Sequence, residues 1–148
     1  MRVALAIAVA MAIGTVSLSA QRSVSTPPQA VHLMQANGLV HVFCARTDAN
    51  FNGSADDGDR PAAWLQVTPS LQVVRTYEFP WADVKASRIG TIIQRDRVYV
   101  GIDNTVQEFD LTDQSNKGTV YNGPVSAVSA VESVTNGPTL YISQRPNF

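Results

Sequence analysis

Arg97-Val98-Tyr99-Val100-Gly101-Ile102-Asp103-Asn104-Thr105-Val106-Gln107-Glu108-Phe109-Asp110 reads as two strands joined by a tight turn. Aliphatic side chains alternate before Asp103-Asn104, the period of two with which a strand sends successive side chains to opposite faces. Asp and Asn at the joint favour a turn. The first strand has two counterparts, Leu39-Val40-His41-Val42-Phe43 and Thr139-Leu140-Tyr141-Ile142-Ser143. His41, Tyr99 and Tyr141 hold the same place in all three.

The offset from Arg97 to Thr139 is 42 residues. The preceding strand follows it, with Ile89, Thr91 and Ile92 falling onto Val131, Ser133 and Val134. Val106–Asp110 falls back by 42 onto Trp64–Thr68. Leu39, however, precedes Arg97 by 58, so the first repeat carries 16 extra residues between Phe43 and Trp64. The same offset of 58 places Val31, Leu33 and Met34 in that repeat's first strand. Strands are therefore expected at 30–35, 39–46, 62–68 and 71–79, then 87–93, 97–103, 105–111 and 116–122, then 127–134 and 139–144. Asn37-Gly38, Asp103-Asn104, Asn122-Gly123-Pro124 and Asn136-Gly137-Pro138 supply turns between them.

Four strands per unit of 40–45 residues is the arithmetic of a propeller blade. The expected fold is all-β, a partial propeller of about two and a half four-stranded antiparallel blades; a small sandwich or meander is the alternative. The repeats run approximately over 30–80, 81–122 and 123–148. The segment Asp96–Thr112 resembles a blade of bacterial surface propellers of the YVTN type. There a Tyr-Val strand is followed by a short turn, a second apolar strand and an Asp. Gly101-Ile102 departs from that pattern, which has Thr-Asn. The resemblance implies a secreted or surface propeller, a group that includes ligand binders, surface-layer proteins and enzymes, so it does not fix a function. A ring closes with at least four blades, so further blades or self-association are expected.

The chain has 148 residues, 11 basic and 12 acidic, a net charge of -1, one Cys and two His. Arg2 followed by the apolar run Val3–Ile13 reads as an export signal spanning 1–20, too short to cross a bilayer. Cleavage is expected after Ser19 or Ala20, with 21–29 as a linker containing Pro27 and Pro28. The expected location is extracellular, cell-surface or periplasmic. No later stretch is apolar enough for a membrane span, and no basic stripe invites nucleic acid. Cys44 lies in the apolar run Val42–Ala45 and is expected to be buried.

The 16-residue excess contains Asp48-Ala49-Asn50-Phe51-Asn52-Gly53-Ser54-Ala55-Asp56-Asp57-Gly58-Asp59. Oxygen-bearing side chains fall at positions one, three, five, nine and twelve, with Gly at six, the order in which a calcium loop presents its ligands. Asp48, Asn50 and Asn52 are expected along an extended start, followed by a turn at Gly53. Ser54 would offer its backbone carbonyl, Asp56 would bind directly or through water, and Asp59 would close the site. Pro61 and the strand after it leave no room for the exiting helix of an EF-hand. The spacing resembles the calcium loops inserted in propeller hairpins of the FG-GAP type. That resemblance implies ligands at Asp48, Asn50, Asn52, Ser54 and Asp56. Two Asn where Asp is usual lower the ligand charge. A plain solvated turn is the competing reading, since Gly, Asn, Asp and Ser are ordinary turn residues.

No catalytic set is visible. His32 and His41 both fall in strands, and there is no nucleophile triad or phosphate loop. Trp64 is expected between blades, while Trp81, in a loop after Pro80, is open to a sugar-binding role. Three functions compete. One is a calcium-binding module that engages a carbohydrate or protein at a surface. The second is part of a propeller enzyme, a lactonase-like hydrolase or quinoprotein, with its catalytic residues in other blades. The third is a structural surface repeat.

Overall fold

The computed structural model describes residues 29–133, 135 and 137–144. The expected signal, 1–20, and all of the expected linker except Gln29 lie outside the described residues, as do Val134 and Asn136.

Ten strands form three antiparallel sheets. Sheet A runs β1 (Ala30–Ala36), β2 (Leu39–Cys44), β3 (Ala63–Val67) and β4 (Val73–Glu78), in that order. Sheet B runs β5 (Ile89–Ile92), β6 (Arg97–Ile102), β7 (Thr105–Asp110) and β8 (Asn116–Asn122). Sheet C pairs β9 (Ala127–Ser133) with β10 (Gly137–Ser143). Each strand pairs with its neighbour in sequence, so every sheet is a meander. All ten strands fall in or beside the expected segments, with ends that differ by at most two residues. This is an all-β arrangement with propeller-like sheets.

The β1–β2 turn is two residues long, with Asn37 at φ 52 and Gly38 at φ 73. Both sit in the left-handed region that matches the twist of a hairpin, which is why Asn-Gly serves there. Outer strands β4 and β8 are mostly exposed and carry Arg75, Glu78 and Lys117, a charged pattern suited to a sheet edge.

The sheets stack face to face. Period-two alternation gives each central strand two apolar sets, because both faces of an inner sheet are covered. Between A and B lie Phe43, Trp64, Phe79, Val98, Val100, Phe109 and Leu111, all buried. Trp64 stacks on Phe43 at 5.1 Å between ring centroids. Phe109 of sheet B then meets Trp64, Tyr77 and Phe79 edge-on at 6.2, 5.1 and 5.8 Å. Between B and C lie Ile92, Tyr99, Val106, Val125 and Val128, with Leu140 and Ile142 packed against them. The opposite face of sheet A carries Val42, Cys44, Ala63, Leu65 and Val67, also buried.

Buried amides tie A to B. Gln66 Nε2 donates to the carbonyl of Leu111 at 2.8 Å, and Gln114 Nε2 donates to that of Trp64 at 2.8 Å. Trp64 Nε1 donates to His41 Nδ1 at 3.2 Å, and His41 Nε2 lies 3.3 Å from the carbonyl of Ala36. The neutral ring with its proton on Nε2 satisfies both contacts. Both Trp64 and His41 are thus structural, as expected, and Cys44 is fully buried.

Register corrects one expectation. His41 pairs with Met34, Tyr99 with Gly90, and Tyr141 with Ser129. The first strands are therefore related by 56 (Met34 to Gly90) and 39 (Gly90 to Ser129) residues, not by 58 and 42. The cause is the connection. A two-residue turn links β1 to β2, whereas a 3-10 turn over Ile93–Arg95 and Asp96 links β5 to β6. The first strand slides so that its apolar residues keep facing a core. The second and third strands keep their expected offsets, 58 from His41 to Tyr99 and 42 from Gln66 to Glu108, since Gln66 opposes His41 and Glu108 opposes Tyr99.

Candidate metal site

The loop from Asp48 to Asp59 springs from the β2–β3 connection. Its base is closed by Thr47 and Arg60, whose backbone N–H and C=O groups exchange bonds of 2.9 and 3.0 Å. Everything between is exposed except Asp48 and Asp59, which are half-buried beside this closure. Phe51 is 91% exposed, so no core holds the loop in shape. Its own polar groups must do so.

Carboxylates organise the backbone. Asp48 accepts the N–H of Gly53 at 2.7 Å and that of Asn52 at 3.2 Å. This draws the first half of the loop into a tight curve. Gly53 sits at φ 78 within it, a conformation that costs a residue without Cβ little. Asp59 accepts from Ala49 N–H at 2.7 Å and Asp56 N–H at 3.0 Å, tying the end of the loop back to its start. The start is not extended as the sequence suggested. Positions 49–54 form successive bends with Phe51 at φ 61, because each Asx side chain captures a backbone N–H just ahead of it. Asn50 Oδ1 takes the N–H of Asn52, and Asn52 Oδ1 takes that of Ser54.

These bends bring three of the expected ligands together. Asn50 Nδ2 reaches both Asp56 oxygens, at 3.1 and 2.9 Å, and Asn52 Nδ2 reaches Asp56 Oδ2 at 2.6 Å. Donation from Asn50 and then Asn52 holds the Asp56 carboxyl below its ordinary pKa. Asp48 and Asp59 flank the group with their oxygens on backbone N–H groups. Ser54 follows Gly53 on the outer bend and is exposed.

A hard cation takes oxygen ligands, and this loop offers four carboxylates, three of them at the expected ligand positions, two amides and backbone carbonyls. Asn50 and Asn52 spend their Oδ1 atoms on backbone N–H groups and their Nδ2 atoms on Asp56, so each Oδ1 would reach an ion through its second lone pair. Carboxylate and amide oxygens hold two lone pairs or more, so an oxygen bonded to N–H keeps ligating capacity. The donor chemistry therefore fits calcium. Among the described residues, no three His, Cys, Asp or Glu side chains converge as a metal-holding group, so any ion here depends on Asn and backbone oxygens as well.

One partner of the loop escaped sequence reading. Trp81, from the segment joining sheets A and B, donates its Nε1–H to the carbonyl of Gly53 at 2.9 Å. The guanidinium of Arg46 lies 4.8 Å from the Trp81 ring centroid. Trp81 is half-buried and engaged with the loop, which leaves a sugar-stacking role for its ring without support. The contact spans 28 positions, and no local pattern announces it.

Among the described residues, no helix is long and apolar enough to cross a membrane. No protein-family model matches the chain, and no curated protein or solved structure does so either.

Proposed function

We propose that this chain is an exported calcium-binding β-propeller module, which engages a partner at the cell surface or in the periplasm and does not turn over a substrate. The observation that carries the reading is the Asp48–Asp59 loop. Its oxygen side chains follow the order of a calcium loop, and Asn50, Asn52 and Asp56 meet within hydrogen-bonding distance. Support for a propeller comes from three meander sheets stacked face to face in sequence order. The ion's task in this reading is local. It neutralises carboxylates that otherwise repel and fixes the loop against Trp81, so that the module presents a rigid surface.

Calorimetry and thermal melting test it. A ligand that binds only the folded form stabilises it by about 2.7 kcal/mol at a hundredfold excess over Kd. Calcium is expected to raise the melting temperature, and Asp48→Ala to remove the gain. The absence of any heat of calcium binding at millimolar concentration would sink the assignment. Export is tested separately: protein recovered outside the cytoplasm should begin at Ala20 or Gln21, and intact Met1 on it would refute cleavage.

A further inference from the structure

Asn is followed by Gly at Asn37-Gly38, Asn52-Gly53, Asn122-Gly123 and Asn136-Gly137. In such a pair the Gly nitrogen, shielded by no Cβ, can attack the Asn side-chain carbonyl and close a succinimide ring. The surroundings decide whether that attack is helped or hindered. Three features help: an acceptor for the Gly proton, a donor on the Asn oxygen, and room for the ring.

At Asn52-Gly53 all three are assembled. The Gly53 N–H donates to Asp48 Oδ2 at 2.7 Å. That charge-assisted bond enriches the nitrogen and gives its proton a place to go. Asn52 Oδ1, where negative charge develops as the ring closes, accepts the N–H of Ser54 at 2.7 Å. A backbone donor set on a developing oxyanion favours the transition state. Asn52 Nδ2, the leaving nitrogen, is held by Asp56 Oδ2 at 2.6 Å. Both residues are exposed, and no neighbour stands within 4 Å of the place a Gly53 Cβ would take. Ring closure therefore displaces nothing, and water has access to the product.

The other described pairs lack this set. Asn37 donates its amide across to Asp96 at 2.7 Å, inside a hairpin turn paired on both sides at Ala36 and Leu39. The Gly123 N–H donates to the carbonyl of Asn104 at 2.7 Å, an acceptor that takes up no proton, and Tyr121 crowds Gly123. Asn136 lies outside the described residues.

We propose that Asn52 is a self-deamidation site, driven in the folded protein by Asp48 as proton acceptor and the Ser54 N–H as oxyanion donor. The Gly53 nitrogen bonds to Asn52 Cγ, and its proton passes to Asp48 and then to Nδ2. The Cγ–Nδ2 bond breaks and ammonia leaves. Water opens the ring, leaving aspartate or isoaspartate at position 52. No electrons are gained or lost, and water is the only co-reactant. The reaction itself does not depend on calcium. Its consequence rests on the calcium-binding reading: aspartate at position 52 supplies a carboxylate where the loop had a neutral amide, so ligand charge rises as the molecule ages.

The protein is incubated in metal-free neutral buffer made with heavy-oxygen water, and peptide mass spectrometry reads the label at each Asn. Asn52 should convert faster than Asn37 and Asn122, and faster than it does itself in the urea-unfolded chain. Asp48→Asn keeps an acceptor for the Gly53 N–H but takes no proton. It should slow native conversion by on the order of tenfold and leave the circular dichroism spectrum unchanged. Asp113→Asn, in a different loop, should leave the rate as it was. Native conversion no faster than in urea, or a rate indifferent to Asp48→Asn, overturns the proposal. Since no calcium is present, this result stands apart from the calorimetry: conversion without a heat of calcium binding sinks only the metal, and the reverse sinks only the deamidation.

Discussion

Gly90→Ala tests the stacking of sheets through the sign of its effect. Gly90 lies in β5 with no left-handed backbone, so alanine suits its local conformation. In a strand free on that face, the exchange would stabilise by about 0.4–1 kcal/mol, because it restricts the unfolded chain. Here the new Cβ would meet the Ala130 nitrogen at 2.9 Å, Ala130 Cβ at 3.2 Å and the Ser129 carbonyl carbon at 3.2 Å. Two of these atoms are backbone of β9, which cannot swing aside as a side-chain end can. Sheet C must move away, and overpacking of this kind costs about 1–3 kcal/mol. The net expectation is a loss of about 1–2 kcal/mol, the overpacking cost less the chain-entropy gain. With a urea slope of about 2 kcal/mol per molar, the midpoint falls by roughly 0.5–1 M. Urea titration followed by circular dichroism reads it directly. A midpoint that is unchanged or raised would refute the packing of β9 on β5. Gly101→Ala should destabilise as well, since its new Cβ meets Val125 Cγ1 at 2.9 Å and Arg88 Cβ at 3.0 Å, neither the free end of a flexible side chain.

Other outcomes follow from buried groups. Burial holds the pKa of His41 below its usual 6.5, so the native ring stays neutral where the unfolded one takes up a proton. His32 is shifted the same way by burial. Stability should be complete above about pH 6.5 and fall as pH drops below it toward the folded pKa values. His41→Gln should flatten the urea midpoint between pH 7 and 5, and an unaltered slope would contradict this. Asp110 and Asp113, also held low, act only nearer the ordinary carboxylate range. Cys44, fully buried with its thiol pushed up to about 11, should resist thiol reagents in native buffer and react at the rate of unfolding. Rapid stoichiometric labelling of native protein would contradict that burial. Phe109→Ala, which empties the aromatic contact between A and B, should cost about 3–5 kcal/mol in the same titration.

Strand positions were legible because alternation and turn chemistry are local. Val98, Val100 and the pair Asn37-Gly38 announce a strand and a hairpin from a few residues each. Register was less legible, since it depends on what each face meets. Val128 and Val131 look alike in sequence, yet one is buried and the other exposed. At the candidate site, the order of oxygen-bearing side chains was readable from Asp48 to Asp59, but conformation was not. The Asx bonds at Asn50 and Asn52 compete with an extended chain, and only geometry shows that they win. The tie from Trp81 to Gly53 is a product of the fold alone.

The pair of backbone bonds between Thr47 and Arg60 also acts as a firebreak. Above it the loop rests on exposed hydrogen bonds and can open at low free energy; below it the β2–β3 ladder opens only with the domain. Changes on one side reach the other chiefly through the single hydrogen bond from Trp81 to Gly53. Residues of the loop are free to gain or lose ligand atoms over evolutionary time without endangering the sheet. In the calcium-binding reading proposed above, exchanging Asn50 or Asn52 for Asp would retune ion affinity as a trait separable from foldability.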